Sequence, residues 1–84
     1  LIKAGVKVVE LRTYSKVAWQ EEAEDIVVFA NGQSRPFNVS ILPSLLTLCQ
    51  NWRLDAADLT EALTDLETVR LLAYLMESGV VDVQ

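Results

Sequence analysis

Ile26-Val27-Val28-Phe29-Ala30-Asn31-Gly32-Gln33-Ser34-Arg35-Pro36-Phe37-Asn38 carries the strongest local signal in this sequence. Asn-Gly tolerates the positive φ angles that a type I′ turn imposes on both central residues, and apolar, β-branched and aromatic residues flank it. The stretch therefore reads as a β-hairpin. Pro36 has no N–H to give a ladder, so the second arm belongs at a sheet edge or turns that position outward.

Upstream, Tyr14 to Gln20 alternates, with Val17 and Trp19 on one face and Lys16, Ala18 and Gln20 on the other, as expected of a strand. Gly5 to Leu11 is β-branched and partly alternating. It reads as a half-buried strand, although so short a run leaves a helix open. Glu21-Glu22-Ala23-Glu24-Asp25 places four carboxylates in five residues and reads as a solvated turn. It lacks the interleaved acids, turn glycine and closing Glu of a calcium-binding loop.

Downstream of Ser40 the period changes. Ile41, Leu42, Leu45, Leu46, Leu48, Cys49 and Trp52 recur at helical spacing, with Pro43 tolerable in the first turn, so a helix is expected over roughly 40–51. Asp55 can cap a short second helix over 56–63, in which Leu59, Ala62 and Leu63 face inward. Thr64 and Glu67 form the T-x-x-E pattern of a capping box, which starts a third helix at Asp65 that runs to about Ser78. Gly79 follows in the position where a left-handed residue ends a helix. Val80-Val81-Asp82-Val83 is then a short strand, expected to join the hairpin sheet. Strands, three helices and a closing strand make an α+β chain. The element order and loop lengths match the winged-helix plan, a small antiparallel sheet with three helices, in a single domain over residues 1–84.

Composition sets the bounds. With 84 residues the chain makes one compact domain, and its 51% hydrophobic and 23% charged residues exclude intrinsic disorder. No apolar run is long enough to span a bilayer, and no segment has the make-up of a signal peptide. The chain opens on Leu1 rather than Met, as expected of a piece of a longer polypeptide. Cys49 is the sole cysteine and sits in an apolar run, which reads as a small buried thiol in a protein of a reducing, cytoplasmic compartment. Residues 1–42 balance five basic groups against five acidic ones. Residues 43–84 set Arg53 and Arg70 against seven acids and carry the whole net charge of −5.

The sequence contains no His, so it lacks the usual general base, the commonest metal ligand and the partner of a Ser or Cys nucleophile. Gly5, Gly32 and Gly79 are isolated and form no phosphate loop. No catalytic, cofactor-binding or metal-binding residue is expected in this segment. The carboxylate pairs Asp55/Asp58 and Asp65/Glu67 fall in first helical turns, where they favour the helix dipole, so capping is the better reading than acid and base work. Asn38-Val39-Ser40 matches the glycosylation sequon only incidentally; Asn38 or Ser40 is better read as a helix cap. The outward residues expected of the third helix, Asp65, Glu67, Arg70 and Glu77, would read a major groove poorly, because DNA affinity rests on neutralised phosphates. Neither nucleic acid nor a membrane is expected as a partner. Trp19, Phe37, Trp52 and Tyr74 are the aromatics available to a recognition surface, although in so small a core most serve as filling. Tyr74 is the one expected to dock against another domain, and the acids Asp58, Glu61 and Glu67 are the expected polar part of an interaction surface.

Tyr14-Ser15-Lys16-Val17-Ala18-Trp19, Val28-Phe29-Ala30-Asn31-Gly32, Leu45 to Cys49, and Leu72 to Val83 with Glu77-Ser78-Gly79-Val80-Val81 together resemble a known module. It is similar to the C-terminal winged-helix domain of the JmjC-type ribosomal oxygenases, cupin-fold hydroxylases of arginine and histidine in ribosomal proteins. The resemblance implies an upstream catalytic domain that uses Fe(II) and 2-oxoglutarate, then a helical dimerisation region, in a parent that is a homodimer. The family's iron ligands, a His-x-Asp pair and a distal His, have no counterpart here. The implied role is a non-catalytic accessory domain that packs on the rest of the parent chain, and the −5 of residues 43–84 would suit it to steering and positioning a basic ribosomal protein as substrate. The alternative is a stand-alone winged-helix module for protein–protein interaction or transcriptional regulation.

Overall fold

The computed structural model describes residues 8–12 and 17–83. The parts of the two expected upstream strands at 5–7 and 14–16 lie outside the described residues. Among the described residues six strands and three α-helices follow in chain order: β1 (Val9–Leu11), β2 (Val17–Glu22), β3 (Asp25–Ala30), β4 (Gln33–Asn38), a 3-10 turn (Val39–Ile41), α1 (Leu42–Asn51), β5 (Arg53–Leu54), α2 (Ala56–Ala62), α3 (Leu66–Glu77) and β6 (Val81–Val83).

The Asn-Gly hairpin forms as the sequence dictates, with φ of 52° at Asn31 and 79° at Gly32. Its arms are in register from Ala30↔Gln33 to Asp25↔Asn38, and β2 pairs on the other side of β3. Ala30 and Gln33 close a two-residue turn as a hydrogen-bonded pair, so alternation puts Val27↔Pro36 at a non-hydrogen-bonded position. Pro36 also sits on an outermost strand. Its missing N–H removes no bond from the ladder.

The last strand departs from expectation. β6 does not join the hairpin sheet but pairs antiparallel with β1, which pairs with β5 on its other side to give a second three-stranded sheet of order β5-β1-β6. The reason is apolar burial: Val9 lies opposite Leu54 and Val83, Val81 lies opposite Leu11, and Val9, Leu54 and Val81 are at most 4% exposed. β5 has only two residues and follows Trp52, whose left-handed φ of 64° ends α1 and turns the chain.

The inner face of β2-β3-β4 lays Ile26, Val28, Ala30 and Phe37 against one continuous core with Ile41, Leu45 and Leu48 from the α1 region, Leu59 and Ala62 from α2, and Leu71, Leu72 and Leu75 from α3. Burying each such leucine contributes about 1.5–3 kcal/mol. Gly79, at φ 75°, ends α3 in a Schellman arrangement: its N–H donates to Met76 O at 3.1 Å and that of Val80 to Leu75 O at 3.3 Å. At the other end of α3 the N-cap is Asp65, not Thr64, and the expected T-x-x-E box does not form. Thr64 instead donates its hydroxyl to Glu61 O at 2.6 Å. A reciprocal capping box does form one helix earlier, between Asp55 and Asp58 at the start of α2.

Candidate functional site

Hairpin and α3 are joined along the length of the helix. At the C-terminal end, Asn31 Nδ2 donates to Ser78 O at 3.0 Å and the Tyr74 hydroxyl donates to Gln33 O at 3.0 Å. At the N-terminal end, Asn38 N–H donates to Glu67 Oε2 at 3.0 Å and the Ser40 hydroxyl to Asp65 Oδ2 at 2.9 Å. β4 thus runs antiparallel to α3 and is fastened at both ends.

Tyr74 belongs to this joint and not to an exposed surface. It is 2% exposed, its ring lies 5.8 Å from that of Phe37, and the Arg35 guanidinium sits 4.9 Å from its centroid. The expected docking role for an exposed Tyr74 is corrected accordingly. The signal lay in the spacing: Leu71, Tyr74 and Leu75 are i, i+3 and i+4, the stripe that faces a core. Phe37 is buried as well, and Trp19 is half-buried against the core. Trp52 is the exposed aromatic of the four, at 53%.

The expected acidic set is dispersed. Asp58 and Glu61 lie one turn apart on α2 and line a small cavity of about 50 Å³ with Pro43, Ser44, Thr47 and Leu54. Asp58 is engaged in the capping box with Asp55. Glu67 stands elsewhere, engaged by Asn38 N–H and, at 2.8 Å, by Arg70. It lines an open concavity of about 650 Å³ with Asp25, Pro36, Phe37, Asn38, Ser40 and Asp65. Of the residues of α3, Leu66, Arg70 and Glu77 are exposed, and the Arg70 guanidinium is held by Glu67.

Hydrogen bonds set the charge of the two N-caps. Asp65 is held below its ordinary carboxylate range first by the hydroxyl of Thr68, at 2.7 Å, and then by that of Ser40. Asp55 is lowered chiefly by the N–H of Asp58, at 3.1 Å. A carboxylate whose folded pKa is depressed stabilises the fold above its unfolded pKa, here near 3.8, and loses that contribution as pH falls further, through the folded value. We therefore expect the melting temperature to drop as pH is taken from 5 down through about 3, with a shallower drop in Asp65→Asn, as followed by circular dichroism. Equal acid sensitivity in that variant would contradict the assignment.

Cys49 is half-buried, and desolvation pushes its thiol up, which disfavours the thiolate. Among the described residues no group of three or more His, Cys, Asp or Glu is placed to hold a metal ion. No described helix is long and apolar enough to cross a membrane.

Three helices with two small antiparallel sheets define an α+β fold of winged-helix type. The family model for the ROXA-like winged helix matches residues 2–82, and the chain belongs to that family. No curated protein and no solved structure matches it.

Proposed function

We propose that this chain is a non-catalytic accessory domain of a JmjC-type protein hydroxylase acting on a ribosomal protein. Membership of the ROXA-like winged-helix family over residues 2–82 is the observation that carries the reading. The chemistry of the chain supports it. With no His in the sequence, the donor set for Fe(II) is not here, so iron and 2-oxoglutarate belong to the parent's catalytic domain. The partners in this reading are the rest of a homodimeric parent, in the cytoplasm, and a basic ribosomal protein.

The domain's role in catalysis is steering and positioning. The −5 carried by residues 43–84 attracts a cationic substrate at a distance and falls off with salt. Glu61 is the residue that tests this, because Asp58 and Glu67 also hold helix starts or loop backbone in place. Glu61→Gln in the full-length hydroxylase is expected to raise KM for the ribosomal protein at low ionic strength, leave kcat unchanged, and lose its effect at high salt. An unchanged KM at low salt would remove the steering role.

The other reading is a stand-alone winged-helix module for protein–protein interaction or transcriptional regulation, of which DNA binding tests the regulatory form. A gel-shift titration with random duplex DNA at low salt separates the two. The accessory role predicts no shift, in keeping with the paired Arg70 and the exposed Leu66 and Glu77 of α3.

A further inference from the structure

The face of β2-β3-β4 turned away from the core is built unlike a plain solvated surface. Its rows set Ala18 beside Phe29 and Ser34, then Gln20 beside Val27 and Pro36, then Glu22 beside Asp25 and Asn38. Ala18, Val27, Phe29 and Pro36 therefore adjoin one another, with Phe29 41% exposed at the centre. Polar residues alternate with buried ones on an ordinary solvated sheet, and this patch breaks that rule.

Two further features stand at the distal end. Glu22 and Asp25 lie directly opposite each other, an arrangement of like charge that weakens strand pairing, and the turn between them holds Ala23 at φ 52°, where an alanine is strained. Pro36, Asp25 and Asn38 also line the 650 Å³ concavity, whose other walls bring in the carboxylates of Asp65 and Glu67. The apolar patch thus runs without a break into a recess large enough for a long side chain. Three carboxylates line that recess: Glu67 is paired with Arg70 and Asp65 accepts from Ser40 and Thr68, while Asp25 stands where the apolar patch meets it.

We propose that this face docks an extended polypeptide segment of a partner protein, with apolar side chains against Phe29 and Val27 and a Lys or Arg entering the recess beside Asp25. Charge complementarity fixes the occupant: a cation relieves the opposed Glu22 and Asp25 and meets the negative end of the patch, whereas an acidic segment or a second copy of this acidic chain is repelled. The proposal does not depend on the oxygenase reading, since it rests on the face itself.

The test is a titration of the isotope-labelled chain, followed by its amide NMR signals at low ionic strength, with two synthetic probe peptides. Both carry an alternating Leu/Thr centre; one ends in two Lys and the other in two Glu. The Lys-ended peptide is expected to move the amides of β2, β3 and β4, and Phe29→Ser to weaken it by about tenfold, as loss of a central anchor does. Asp25→Asn is expected to weaken it similarly while preserving or raising the melting temperature of the free chain, which separates lost docking from lost folding. Equal binding of the Glu-ended peptide, shifts confined to other elements, or no shift at all would overturn the proposal.

Discussion

Leu72→Ala is expected to remove about 2–5 kcal/mol of unfolding free energy, the range for a fully enclosed leucine cut back to a methyl group. Leu72 is 0% exposed on α3 and packs into the cluster shared by both sheets and all three helices. The loss combines the transfer free energy of the deleted atoms with the cavity left behind, which a close-packed core fills only in part. A domain of 84 residues has about 4–13 kcal/mol in total at roughly 0.05–0.15 kcal/mol per residue. One truncation thus takes a large share of it, and urea denaturation checks the size. Leu66→Ala, six residues earlier on the same helix, is the matched control. Leu66 is 74% exposed, and its truncation is expected to stay within about 0.5 kcal/mol. Similar losses at both positions would mean that the inward face of α3 is assigned wrongly.

Tyr74 gives the second large effect, and its series separates a structural joint from a docking surface. Tyr74→Ala removes a buried ring at about 3–5 kcal/mol, including its packing on Phe37 and the Arg35 stack. Tyr74→Phe keeps the ring and loses only the hydroxyl bond to Gln33 O, worth about 1 kcal/mol. Denaturant melts of the two variants should therefore differ severalfold, and the Tyr74→Ala amide spectrum should show its shifts concentrated in β4. A tyrosine that served an external partner would leave the isolated domain's stability unchanged in both variants.

Local chemistry made much of the fold legible. Asn31-Gly32 names its own turn, the leucine periodicity of residues 41–52 fixes α1, and Gly79 marks the end of α3, because each depends on residues close in sequence. Non-local pairing was not legible. β5 is two residues long, and its place beside β1 depends on Val9 meeting Leu54 across more than half the chain. The pairing of β6 with β1, which sets Val9 opposite Val83, spans a longer stretch still.

The start of α3 shows how tertiary contacts decide between equal local options. Thr64 and Asp65 are adjacent residues, and either can cap a helix. Asp65 wins because Ser40, far away in sequence, donates to the same oxygen that accepts from Thr68, and Glu67 is drawn to the N–H of Asn38 and away from a capping box. The proposed docking face was the least legible part. Tyr74 was signalled as core by its spacing, while the outward patch around Phe29 appears only once the register of three strands is known.

Oxygen incorporation into a ribosomal protein tests the central claim most directly. Intact ribosomal proteins incubated with Fe(II) and 2-oxoglutarate, then weighed by mass spectrometry, should gain one oxygen atom when the full-length parent is present. They should gain none with this 84-residue chain alone. Hydroxylation by the chain alone, or none by the parent, would contradict the account.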